Sequence, residues 1–143
     1  MLISSMAGWF LVLVFSIIAF MHVYWAAGGR RGLTAVIPAG PDGRPVFQPG
    51  ILITLLVALV FVIGAVSCAL LLAYPGLRSI KLSFITPAII LYATSAVFFM
   101  RAVGNFKNVG FGKRLRGTRF ARMDDLLFSP LCVCIGLALV LFA

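Results

Sequence analysis

The chain has 143 residues, of which 63% are hydrophobic and 10% charged, and its mean hydropathy is +1.17. Twelve Lys and Arg face three Asp and no Glu, a formal net charge of +9. A soluble domain carries roughly 25% charged residues, so a water-facing globular enzyme is excluded, as are a disordered chain and a disulfide scaffold. What remains is a small integral membrane protein.

A spanning helix needs about 20 mainly apolar residues, because the hydrocarbon core is roughly 30 Å thick and each residue rises about 1.5 Å. Four stretches meet that need, near 2–27, 51–73, 82–101 and 125–143, so the composition predicts an all-α bundle of four transmembrane helices in one domain, 1–143. Alternating strand patterns are absent, which leaves helices to satisfy the backbone in lipid.

The first stretch has no charge before Arg30. It lacks the basic lead and the short apolar run of a signal peptide, so it is expected to stay in the mature protein. At 100° per residue, Gly8, Ala19, His22 and Ala26 share a face that a second helix can approach closely. His22 is expected to point into the bundle, and Tyr24 and Trp25 to lie in the interfacial aromatic belt. Gly28 and Gly29 then end the helix. Pro38, Pro41, Pro45 and Pro49 keep the following segment irregular, with a short hairpin expected around Pro41, Asp42 and Gly43.

The second stretch offers Thr54, Ala58, Ala65 and Ala69 as a packing stripe, with Gly64 and Cys68 beside it. The third places Pro87, Thr94, Arg101 and Asn105 on one face if the helix continues past Arg101, and Pro87 is expected to bend it. Gly104, Gly110, Gly112 and Gly117 break the segment after it. There the run from Phe111 to Phe120 mixes cations with Phe and Leu. Lys113, Arg114, Arg116, Arg119 and Arg122 are expected to touch anionic lipid headgroups, although setting topology would alone account for these charges. Nothing here resembles a groove-fitting motif or a stacking platform, so no nucleic-acid partner is expected. The fourth stretch puts Asp125, Ser129, Cys132 and Gly136 on one face. Asp124 or Asp125 would favour the positive end of that helix, and Pro130 leaves the Leu126 carbonyl without its usual donor.

Ten of the twelve cations fall in or beside the segments 28–50 and 102–124, against Arg78 and Lys81 on the other side. The positive-inside rule therefore predicts those two segments in the cytoplasm and both termini outside it.

His22, Arg101, Asn105, Asp124, Asp125 and Ser129 would all lie at that cytoplasmic end. Polar groups in lipid are costly without partners, so this level is the candidate site. It reads as a clamp, with Arg101 on Asp124 or Asp125 and His22 on a backbone carbonyl, as a ligand or catalytic site, or with Arg101 snorkelling to headgroups and pairing with nothing. Cys132 and Cys134 form C-x-C on diverging helix faces, so no metal is expected, and all three cysteines are expected to be buried. No phosphate loop, dinucleotide fingerprint or hydrolase elbow appears, so no cofactor and no catalytic residue is named. The leading expectation is a non-enzymatic accessory or structural membrane protein, self-associating or bound to a partner membrane protein. A lipid-binding or lipid-modifying enzyme with its site at the cytoplasmic end is the first alternative, and a small transporter or channel subunit the second.

Three groups of residues also carry a likeness. They are His22-Val-Tyr-Trp25 with Gly28-Gly29; Arg101-Ala-Val-Gly104-Asn-Phe106 with Val109-Gly-Phe111; and Phe120 and Asp124 with Phe128-Ser-Pro-Leu-Cys132. Together they resemble a family of small bacterial membrane proteins known only as a domain of unknown function with four predicted helices. The resemblance covers nearly the whole chain and implies a bacterial plasma-membrane location, but no chemistry. Similar proteins often have Tyr where this chain has Phe128, so no role resting on that phenol carries over.

Overall fold

The computed structural model describes residues 2–38, 40, 44–80, 85–105, 107–114 and 116–143. Among them the regular structure is helical throughout: α1 (Leu2–Ala26), α2 (Leu33–Val36), α3 (Ile51–Ala73), a 3-10 turn (Pro75–Ser79), α4 (Pro87–Val103), α5 (Arg119–Met123), a π turn (Asp124–Phe128) and α6 (Ser129–Phe142). The last three run on as one rod, Arg119–Phe142.

Three helices, α1, α3 and that rod, are long and apolar enough to cross a membrane, and α4 is a shorter apolar helix of 17 residues. Only 22–33% of each long span is buried inside the protein. The remainder presents side chains such as Leu2, Leu52 and Phe20 outward. Water would not tolerate so continuous an apolar exterior, whereas hydrocarbon does.

Lipid tails are as apolar as Leu, so helices in a bilayer associate through close fit rather than water exclusion. Small residues provide that fit here. A Cβ on Gly8 would lie 2.5 Å from the Phe142 ring, one on Gly64 3.0 Å from Phe15, and one on Gly136 2.9 Å from Phe99. α1 runs antiparallel to α3, with Gly8 facing Leu72 and Phe15 facing Gly64, while α4 lies along α6. Phe15, Phe61 and Phe98 meet at the centre, with Phe15 at 5.5 Å from Phe61 and 6.0 Å from Phe98 between centroids. Buried Ser95 donates from Oγ to the Gly136 carbonyl at 2.8 Å, joining α4 to α6 inside the apolar layer.

Several boundaries differ from expectation for local reasons. Pro87 does not bend a helix; it begins one, where its missing N–H is harmless, and Thr86 caps that end by accepting from Ile89 N–H at 3.3 Å. α4 ends at Val103, so Asn105 leaves the face it was assigned. The fourth helical rod starts at Arg119, with Thr118 Oγ1 accepting from Ala121 N–H at 3.0 Å. Asp124 and Asp125 therefore sit beyond its first turn, not at its positive end. Cys68 is buried as expected, but Cys132 is only partly buried and Cys134 is exposed, because an apolar thiol on α6 meets no penalty in lipid.

The expected loop hairpin is centred on residues 41–43, which lie outside the described residues. On either side of them Gly40 N–H donates to Arg44 O and Val46 N–H to Pro38 O, both at 2.8 Å. At the opposite end of the bundle, Arg78 donates to the Phe142 carbonyl at 2.5 Å and sits over the Phe142 ring at 4.3 Å from its centroid.

Candidate functional site

Where α4 ends and the last rod begins, four charged side chains meet. The site starts from a backbone feature. Gly104, at φ 87°, turns the chain sharply off α4, and Gly110, at φ 85°, turns it back against Gly104. A Cβ on Gly104 would overlap the Val109 carbonyl, and one on Gly110 would lie 2.5 Å from the Val103 oxygen. Both positions need glycine for conformation and for space.

Asn105 organises the loop between them. Its Oδ1 accepts from the backbone N–H groups of Lys107, Asn108 and Val109 at 3.1, 2.9 and 3.2 Å. The returning strand of loop then caps α4: Phe111 and Gly112 donate to the carbonyls of Ala102 and Val103 at 2.9 and 3.2 Å. These carbonyls would otherwise be orphans of the helix end.

That turn delivers two donors to Asp124, which is fully buried. Gly110 N–H reaches its Oδ2 at 2.7 Å and Lys113 Nζ reaches the same oxygen at 3.1 Å, while Arg101 Nη2 reaches Oδ1 at 3.0 Å. Lys113, 2% exposed, also donates to Gly110 O at 3.2 Å and to Asp125 Oδ1. An ammonium has three hydrogens, and three acceptors surround this one. Two cations and two carboxylates thus form a neutral group, in which each charge offsets the desolvation of its neighbour.

The π turn selects which aspartate faces inward. Ser129 N–H donates to Asp124 O, one residue further back than in an α-helix. Pro130, with no N–H and a ring that would press on the Leu126 carbonyl, favours such a turn. The extra residue brings Asp124 into line with Ser129, both at 0% exposure, and leaves the Asp125 side chain 38% exposed. Two buried polar atoms have no protein partner among the described residues, Arg101 Nη1 and Ser129 Oγ.

Of the residues expected to converge, Arg101, Asp124 and Asp125 do so through direct contacts or the shared Lys113. Asn105 shapes the adjoining loop. His22 does not join them. Its Nδ1 bonds the Ile18 carbonyl at 2.8 Å, which requires a proton on Nδ1, and its ring packs on Trp25 and Phe61 at 5.1 and 6.1 Å. Trp25 Nε1 donates to Arg31 O at 3.0 Å and Tyr24 Oη accepts from Arg31 N–H at 3.4 Å, so both aromatics fold the chain back over the end of α1. Arg114, Arg116, Arg119 and Arg122 are exposed. Lys113, expected with them at the headgroups, is instead inside the cluster, where buried Asp124, half-exposed Asp125 and the Gly110 carbonyl take up its three hydrogens. Nothing in the linear order marks Lys113 apart from its neighbours. Phe128 lies 6.2 Å from Phe120 and contributes a ring, with no hydroxyl to act.

An open apolar groove of about 320 Å³ lies between α1 and α3, lined by Ser16, Ala19, Phe20, Val23, Val62, Ala65 and Val66. It shares no residue with the charged group. Among the described residues no three His, Cys, Asp or Glu come close enough to hold a metal.

No curated protein and no solved structure matches the chain. A family described as "Protein of unknown function (DUF3995)" matches residues 7–139. With the match running from the first turns of α1 almost to the end of α6, across the glycine-bounded loop and the buried aspartate, the chain belongs to the DUF3995 family of proteins of unknown function.

Proposed function

We propose that this is a non-enzymatic, four-span integral protein of the bacterial plasma membrane, which acts through contacts with other membrane components. The observation that carries the reading is the internal pairing of Arg101, Lys113, Asp124 and Asp125. A catalytic site usually offers several polar groups to its substrate; here both carboxylates are engaged by Arg101 and Lys113, and the buried polar atoms left over among the described residues are Arg101 Nη1 and Ser129 Oγ. The accessible groove, by contrast, is apolar and lined by other residues.

Four crossings are supported by the packing of α4. Its 17 residues span about 25 Å, a few ångströms short of the hydrocarbon, and tilt, thinning or a snorkelling Arg101 covers such a gap. Along that length α4 follows α6, bound to it by Ser95 and Gly136 in the apolar layer. A helix so paired crosses with its partner. The charge imbalance then orients the bundle with the Arg101–Asp124 end in the cytoplasm and both termini outside.

Paired fusions test this. A fluorescent protein that matures only in the cytoplasm should stay dark at the C-terminus, and an alkaline phosphatase in its place should be active. The opposite pair of results would overturn the topology. A chemical activity that purified protein shows and that Asp124→Asn abolishes without unfolding would overturn the non-enzymatic reading.

A further inference from the structure

The charged residues from Lys113 to Arg122, in the loop after α4 and on α5, divide into two populations that the sequence does not distinguish. Lys113 faces inward and is neutralised. Arg114, Arg116, Arg119 and Arg122 face outward, and Phe111, 49% exposed, precedes Arg114 by three residues in the same segment. The two described carboxylates are occupied by Arg101 and Lys113, so among the described residues no acid compensates those four arginines. Arg119 and Arg122 are three apart on α5 and share a side of it.

We infer that Arg114, Arg116, Arg119 and Arg122, with Phe111, form a docking surface for anionic phospholipid headgroups, and that Lys113 is the internal pin holding this surface at the bilayer. Three observations converge on lipid as the occupant. The surface carries four uncompensated cations. It is joined directly to α4 and to the rod Arg119–Phe142, whose exteriors suit hydrocarbon, so its distance from the headgroups is set by the fold. Phe111 supplies an apolar side chain of the kind that enters the interface. A phosphodiester accepts from guanidinium groups in the planar, two-pronged manner that arginine provides. Each surface arginine is worth about a five-fold preference near an anionic membrane, weakened by salt. Burial protects Lys113 from that screening, so the pin should hold at ionic strengths that loosen the lipid.

The inference rests on the membrane reading proposed above, which the fusions test separately. The natural indoles, Trp9 and Trp25, lie on α1. A Trp9→Phe, Trp25→Phe, Phe111→Trp protein therefore carries its one indole on the proposed surface. Reconstituted into vesicles, it is quenched by brominated phosphatidylglycerol or brominated phosphatidylcholine, and the ratio gives the local preference. We expect at least a five-fold preference for phosphatidylglycerol at low salt, lost in 0.5 M salt. Changing all four arginines to Gln should bring the ratio to one. Equal quenching by both lipids would overturn the docking surface and leave the membrane reading intact. A preference that survives the four substitutions would also overturn it. Quenching by neither lipid would place the loop away from the bilayer and contradict both. Lys113→Met should lower the quenching efficiency of both lipids together, the sign of a displaced surface and not of a lost contact; a change in the ratio alone would make Lys113 a headgroup ligand.

Discussion

The middle of the bundle and its charged end are held by different physics. At the middle, Gly8, Gly64 and Gly136 let rings settle against backbone, and Phe15, Phe61 and Phe98 fill the space. Attraction there is dispersion, lost gradually as fit worsens. At the end, one buried carboxylate gathers donors from α4 and from the loop. Such attraction is strong and brittle, because removing one partner strands the others as buried charges. The comparison predicts that the same small protein should tolerate changes of shape in its apolar layers better than loss of charge at Asp124.

Substitutions at the charged end should therefore do the most damage. Asp124→Ala leaves Arg101 and Lys113 without their shared acceptor and is expected to cost about 3–5 kcal/mol, measured by reversible unfolding in mixed micelles. A loss below about 1 kcal/mol would mean that water or headgroups satisfy those cations already. In the middle, Gly136→Leu pushes against Phe99 and should cost about 1–3 kcal/mol, with the spans still inserted. If it proved more harmful than Asp124→Ala, the contrast would be reversed.

Smaller effects sharpen the same contrast. Asn105→Ala removes one acceptor from three backbone donors in an exposed loop, so about 1 kcal/mol is expected, together with faster hydrogen exchange at Asn108. Ser129→Ala is the smallest. Among the described residues its hydroxyl is buried without a partner, so stability should change by less than about 0.5 kcal/mol or rise slightly. A loss above about 1.5 kcal/mol would require a bond to Ser129 Oγ that the fold does not show.

The apolar rods were legible because exclusion of charge from lipid acts on each residue separately and leaves long, countable runs. The meeting of Arg101 with an aspartate was legible as a shared level, since Arg101 lies in the last turn of α4 and the aspartates near the start of the final rod, at one end of the bundle. Which aspartate turns inward was not. A wheel at 100° per residue presumes α geometry throughout, and the π turn before Pro130 inserts one residue and rotates Asp124 into place. Lys113 was hidden for another reason. It stands among five similar cations, and only the fold-back at Gly104 and Gly110, with its backbone donors, carries it to Asp124. Ser95 was overlooked beside Thr94, yet it is Ser95 that binds Gly136 while Thr94 returns its proton to the Ile90 carbonyl of its own helix.

The central claim is that the buried cluster acts as one electrostatic unit tying the loop to the helices. A double-mutant cycle of Lys113→Met and Asp124→Asn, read by reversible unfolding, tests it most directly. The account expects each change alone to destabilise and the pair to cost less than their sum by about 1–3 kcal/mol. Additivity within about 0.5 kcal/mol would show that the two residues stabilise the protein independently, and would contradict it.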